Sequence, residues 1–340
     1  MRLSGLKLIA SFFLAAVLSA PAWAANQALP GTLNYVEGQA AIGDQTLDAK
    51  SVGSVGLQTG QTLTTQTGKA EVLLTPGVFF RLGDNSAATM VSPNLTNTEV
   101  ALNQGQAMVE VAEFYKQNLL QVQEDGATTQ LLKEGLYAFD ADNGDVKVFK
   151  GEALVQDGDR QIKVKQGHEL ELKNASLKTA KFDKNSFEQS DLYRFSSLRS
   201  EYLAEANVDA ARVYVAGGPG WFGPGWYWDP FFTTYTWIPG GGILYSPFGW
   251  GFYSPLWVSY APYYGPFYGA YPYWAAGHPW GPNHGPIYGG HPAVAGAGFR
   301  GPSHPLASAS HYGGVNEGFH GGAASGGGFH GGGFGGGFHR

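Results

Sequence analysis

The stretch QTGKAEVLLTPGVFFRLGDNSA, residues 66–87, decides the reading of the fold. It reads as strand, turn, strand. AEVLL and VFFRL flank Pro76-Gly77, and Arg81 stands just before a Gly83-Asp84-Asn85 turn. Period-two alternation broken by turn residues is the signature of strands that bury one face. Glu71 and Arg81 are expected to be exposed on these strands, as parts of a frame and not as catalytic groups.

Working outward, the same pattern continues on both sides. QAMVEVAEF, LLQVQ, LYAFDA, DVKVFKG, EALVQ, QIKVKQG and HELELK are short strands. Asn143-Gly144 and Asp157-Gly158 suit tight hairpin turns, because both residue types tolerate positive φ. A weak repeat runs through the region: YVEGQAAI at 35–42, LNQGQAMV at 102–109 and VFKGEALV at 148–155. One glycine per repeat marks a bend where the pleat turns a corner. The fold class is therefore all-β, either a sandwich or a short β-solenoid. One C-terminal helix is expected over 186–206, with Ser186 and Gln189 as a capping box. Leu192, Phe195, Leu198 or Arg199, Tyr202 and Ala206 recur along it at helical spacing.

The ends of the chain obey other rules. Arg2 and Lys7, a short apolar run and Ala22-Trp23-Ala24 form a secretory signal peptide, with cleavage expected after Ala24. The protein is expected to be exported, to the periplasm or the cell surface, with no transmembrane helix. There is no cysteine, so neither a disulfide nor a thiolate metal site can form. The net charge of −6 argues against a nucleic-acid partner. Residues 214–340 carry only four charges, Asp229, Arg300, Glu317 and Arg340, but 34 of the 51 glycines and 8 of the 9 tryptophans. The domain plan is a signal peptide at 1–24, a β-domain at 25–185, and a helix and linker at 186–213. A largely irregular Trp/Tyr/Gly/Pro-rich segment follows at 214–288, then a disordered Gly/His/Phe tail at 289–340.

The run 57–90 resembles the core of the FecR domain, whose pattern reads G-x-A-E-V-x-L, P-G, R-L and N-S. VALNQGQAMVEV (100–111) and DVKVFKGEALVQ (145–156) resemble its later strand pairs. The matching positions are Gly68, Glu71, Gly77, Arg81, Ser86, Gly105 and Gly151. The resemblance covers roughly residues 50–172 and implies an exported, all-β, non-catalytic module that binds protein. In iron-citrate signalling, such proteins contact an outer-membrane receptor's periplasmic domain and relay its state to a sigma factor. Those regulators carry a transmembrane helix and a cytoplasmic segment; here a cleavable signal precedes the domain. The segment 221–260 also resembles the Trp/Tyr/Gly/Pro repeats that follow FecR domains in exported bacterial proteins.

No motif for catalysis or cofactor binding occurs. There is no G-x-S-x-G, no phosphate loop and no H-E-x-x-H. His168 is read as solvent-facing, and DADNGD (140–145) as a turn and not a calcium loop. His320, His330 and His339 are weak metal candidates in a Gly-rich tract that offers no preformed geometry. Trp226, Trp228, Trp237, Trp250 and Trp257 are the candidate partner-binding residues, since exposed aromatic rings dominate contact hot spots. Three roles stay open for their segment: contact with envelope glycan or protein, self-association, or packing back on the β-domain. The functional expectation is a non-enzymatic exported envelope protein. Its alternative is a periplasmic signalling regulator that meets a receptor's signalling domain.

Overall fold

The computed structural model describes residues 28–215 and 221–261. The expected signal peptide and the His-bearing tail, with His320, His330 and His339, lie outside those residues. The β-domain comprises β1 (Leu33–Ile42), β2 (Gln45–Thr46), β3 (Thr62–Leu73), β4 (Val78–Leu82), β5 (Ala87–Asn94), β6 (Asn97–Gln104), β7 (Gln106–Val111) and β8 (Leu119–Glu124). It continues with β9 (Ala127–Leu131), β10 (Gly135–Asp140), β11 (Asp145–Lys150), β12 (Glu152–Asp157), β13 (Arg160–Lys165), β14 (His168–Glu171) and β15 (Thr179–Lys181). These strands form one sheet in the order β13-β12-β9-β8-β6-β5-β3-β4-β7-β10-β11-β14-β15, with β1 beside β3 and β2 beside β1.

The long strand β3 explains the shape. Its residues Thr62–Thr64 pair with β5, whereas Ala70–Leu73 pair with β4. Two walls therefore diverge from it: β5, β6, β8, β9, β12 and β13 make the first, and β4, β7, β10, β11, β14 and β15 the second. β13 returns alongside β11 and β14, so the sheet is nearly closed and barrel-like. The apolar residues of each strand meet between the walls: Met90, Val100, Val122 and Val155 from the first, Phe80, Val109, Tyr137 and Val148 from the second. Of the two architectures open from the sequence, the solenoid does not form, and the two walls face each other as in a sandwich but belong to one nearly closed sheet. Every ladder is antiparallel except the parallel β6–β8 pair, so there is no stack of parallel coils.

The three repeat glycines are the corners. β6 of the first wall passes through Gly105 into β7 of the second, and β11 passes through Gly151 into β12. Gly38 bends β1 opposite Gly68 of β3. All three repeat glycines have positive φ, at 64°, 73° and 100° in chain order. A Cβ on Gly105 would collide with Ser86 Oγ, and one on Gly151 with the Tyr137 hydroxyl. Positive φ and the close approach both require glycine there.

The helical region departs from expectation. It is broken into α1 (Lys184–Glu188) and α2 (Asp191–Val215). Asp183, and not Ser186, caps α1 by accepting the Asn185 N–H, so the expected capping box does not form. Ser190 starts α2: its hydroxyl accepts the Tyr193 N–H at 3.3 Å. Polar side chains compete for free N–H groups at helix starts, and Asp183 and Ser190 occupy those places. Along α2, Leu198 is exposed and Arg199 buried, which settles which of the two continues the inward stripe.

Beyond α2, two hairpins follow: β16 (Gly225–Asp229) with β17 (Thr234–Ile238), and β18 (Ile243–Tyr245) with β19 (Gly251–Tyr253). Each turns at an X-Pro step whose X residue caps the turn with its side chain. Asp229 Oδ1 accepts the Phe231 and Phe232 N–H groups at 2.8 and 2.9 Å. Ser246 Oγ accepts those of Phe248 and Trp250 at 3.1 and 3.3 Å. Short polar side chains that bond the backbone just ahead stabilise such turns. Among the described residues no helix is long and apolar enough to cross a membrane.

Candidate functional site

The alternation of β3, β4 and β7 aims Glu71, Arg81 and Glu110 away from the space between the walls. Register puts Glu71 directly opposite Arg81, and Phe79 opposite Glu110. An outward residue on an antiparallel sheet is usually wet. Here it is not, because α2 and the two hairpins cover the outer face of the second wall. Glu71, Arg81 and Glu110 are each completely buried, which corrects the expectation that Glu71 and Arg81 are exposed.

Under the cover the charges close on one another. Arg81 donates from Nε to Glu71 Oε2 at 2.7 Å and from Nη1 to Glu110 Oε2 at 2.6 Å. Arg199 of α2 donates from Nη2 to Glu71 Oε1 at 2.9 Å. Ser200 donates to Glu110 Oε1 at 2.7 Å, and Ser246 Oγ stands 3.1 Å from Ser200 Oγ. Arg199 also lies over the Tyr35 ring, 4.4 Å from its centroid, and Arg81 lies 5.3 Å from that of Phe79. Two guanidinium groups and two carboxyl groups thus meet in a buried cluster. Such a cluster contributes little net stability when intact, but removing one partner strands a buried charge.

Burial acts on both carboxylates, with opposite outcomes. For Glu71 desolvation would raise the pKa, but Arg199 and Arg81 together outweigh it and hold the group below the usual carboxylate range. For Glu110 desolvation wins over Arg81 and Ser200, so its pKa is raised. Glu71 is the firmly ionised anion of the brace.

Two buried asparagines fasten the hairpins by imitating backbone. Asn34 donates to Glu71 Oε1 and to the Tyr235 carbonyl, both at 3.0 Å, and accepts the Tyr235 N–H at 2.8 Å. Asn207 of α2 donates to the Trp237 and Tyr253 carbonyls at 2.9 and 3.1 Å and accepts the Tyr253 N–H at 2.7 Å. Both hairpins are held at buried sites where an unpaired polar group would be costly.

This arrangement redefines the tryptophans. Trp237 is fully buried and Trp226 nearly so, packed with Phe79, Leu73, Leu203 and Phe252. Their rings serve the chain's own packing, so as partner-binding surfaces they are corrected. Trp228 and Trp250 are half-buried against the same cluster. Only Trp257, 45 % exposed, presents a large surface, beside Tyr260 at 71 % and Leu256 at 83 %. The other motif residues are structural too. Gly77 turns the β3–β4 hairpin with φ of 82°, and Ser86 Oγ accepts the Gln106 N–H at 2.9 Å beside corner Gly105.

The remaining candidates fall into place simply. His168 is half-buried at the start of β14, its Nδ1 3.1 Å from the Gln166 carbonyl. DADNGD is a turn, as expected: Asp140 accepts the Asn143 N–H, and Gly144 adopts φ of 74°. Among the described residues no group of three or more His, Asp or Glu side chains is placed to hold a metal ion. Lys69 lies in a polar cleft, bridged to Asp84 at 3.2 Å and Asp191 at 2.5 Å.

The sequence reading missed Asn34, Glu110, Arg199 and Asn207 as members of the brace. Glu110 had a signal, since it alternates outward in QAMVEV like Arg81 in VFFRL. Arg199 sits at the apolar spacing of α2. Neither asparagine is distinguishable by pattern.

These features coincide with a family match: residues 61–154 match the model described as FecR protein. The chain carries a FecR domain. Proteins of that family are typically associated with the cell envelope and act in signalling with other proteins. No curated protein matches this chain. Two crystal structures of a protein from Parabacteroides distasonis, described as a proposed anti-sigma factor, are similar at 13 % and 14 % identity, with TM-scores of 0.32 and 0.31. The matches span 41 % and 40 % of this chain and 64 % and 62 % of those chains, less than two thirds of their length.

Proposed function

We propose that this is a non-enzymatic, exported cell-envelope protein whose FecR domain works by binding other molecules. The observation that carries the reading is the fate of the motif charges. Glu71 and Arg81 are completely buried, and Arg81 is engaged by Glu71 and Glu110 inside the protein. No ionisable group of the brace is open to a substrate, and general acid–base chemistry needs such access. What the FecR domain offers outward is surface. Helix α2 and residues 221–261 complete the domain by covering its second wall. Aromatic contact with a partner falls to the exposed Trp257 and its neighbours.

The reading is tested by producing the full chain in a bacterial host and fractionating the cells. The expected product is found in the envelope or periplasmic fraction with Ala25 as its first residue. A cytoplasmic chain that still begins at Met1 would overturn it. A second reading, favoured by the family match, is a periplasmic signalling regulator that meets a receptor's signalling domain. Photo-crosslinking in cells from exposed Gln104 separates the two, since a regulator yields one receptor-sized adduct.

A further inference from the structure

The outer face of the first wall is built unlike the rest of the surface. The register places Glu99 opposite Gln121, Gln121 opposite Gln130, and Gln130 opposite Leu154. In the next row Gln123 faces Thr128, Thr128 faces Gln156, and Gln156 faces Gln161. A shallow cavity of about 350 Å³ opens over this array, lined by Glu99, Thr128, Leu154 and four glutamines, Gln121, Gln130, Gln156 and Gln161. The one carboxylate is already engaged, accepting from Gln123 Nε2 at 2.6 Å. Gln156 bonds the Gly158 carbonyl. The amides of Gln121, Gln130 and Gln161 make no hydrogen bond to the described residues.

We infer that this face binds an uncharged, hydroxyl-rich polymer, a glycan strand laid across the walls' strands. A carboxamide donates and accepts in one plane, as neighbouring sugar hydroxyls do, so the array can satisfy both partners. Five strands spaced about 4.8 Å apart give a track about 19 Å long, enough for an extended chain. The centre of the face has no aromatic, methionine or arginine, the residues that mark protein-binding hot spots. Its lining carries a single charge, the Glu99 carboxylate, and no cation, which disfavours an anionic ligand. With no ring to stack on a sugar, the affinity is expected to be weak, with a Kd of about 1 mM. The inference rests on the contact reading above only in expecting such a polymer outside the cytoplasm; the binding itself is measured on the purified protein.

The experiment is a titration of the isotope-labelled, purified mature chain with a soluble N-acetylglucosamine oligosaccharide, followed by NMR. Glutamine side-chain NH2 signals report directly on the array. Saturable shifts of the Gln121, Gln130 and Gln161 amides are expected, weakened at least ~10-fold in Gln121→Ala/Gln130→Ala. Gln130→Glu, which keeps the size but removes the donor, is expected to weaken binding too. Unchanged thermal melting would show that both variants fold. Three outcomes overturn the inference: no saturable shift, shifts confined to Trp257 and Tyr260, or equal binding by the folded variants.

Discussion

The two outer faces of this sheet come from strands of the same kind, yet they end in opposite environments. On the second wall, outward Glu71, Arg81 and Glu110 sit dry beneath α2 and the hairpins. On the first wall, outward Gln121, Gln130 and Thr128 remain half-buried and uncovered. Alternation tells which side of a strand a residue faces. It does not tell whether that side meets water, because a cover can arrive from more than 100 residues away in sequence, as Arg199 does at Glu71. The difference matters for energetics. A charge under a cover must be paired, whereas an amide in the open is already satisfied by water.

The comparison breaks first at Arg81. Arg81→Leu removes the cation shared by Glu71 and Glu110 and should cost about 3–5 kcal/mol, read as a loss of unfolding free energy in urea. A cost below about 1 kcal/mol would mean that the cover admits water to the brace.

An unpaired carboxylate sharpens the contrast. Glu124 points between the walls at the end of β8, buried, with neither oxygen hydrogen-bonded. Desolvation first, then Asp140, Asp145 and Asp125, pushes its pKa up to about 9. The folded state therefore holds this proton more tightly than the unfolded state does. Stability from this group is fully present below about 4.5 and is lost as pH rises towards about 9. Glu124→Gln cannot ionise, so its melting temperature should gain on the native protein steadily across that window. Parallel melting curves at every pH would show that Glu124 is hydrated.

The smallest effect belongs to the open face. Gln130→Ala should change stability by no more than about 0.5 kcal/mol, since its amide bonds no described residue. A penalty near that of Arg81→Leu would erase the distinction between the faces.

Much of the fold was legible. The strand pairs, the Asn143-Gly144 turn and the three corner glycines follow from period and turn chemistry, which act over a few residues. The FecR pattern was legible too, and residues 61–154 match that family. The helix start was misplaced because Asp183, Ser186 and Ser190 are all competent caps, and only packing chooses among them. The tryptophans looked like a contact surface because composition does not reveal that Trp237 fills a space over Phe79 and Leu203.

By itself the sequence determined most strands of the β-domain and their glycine bends, since these depend on local backbone geometry and the two-residue pleat. It also determined the absence of cysteine chemistry. Only the tertiary structure decided that Glu71 and Arg81 are core residues, that Asn34 and Asn207 clamp the hairpins, and that one outer face stays open. Those outcomes depend on which distant segment buries its apolar surface against which wall, a choice governed by complementary shape and not by local pattern.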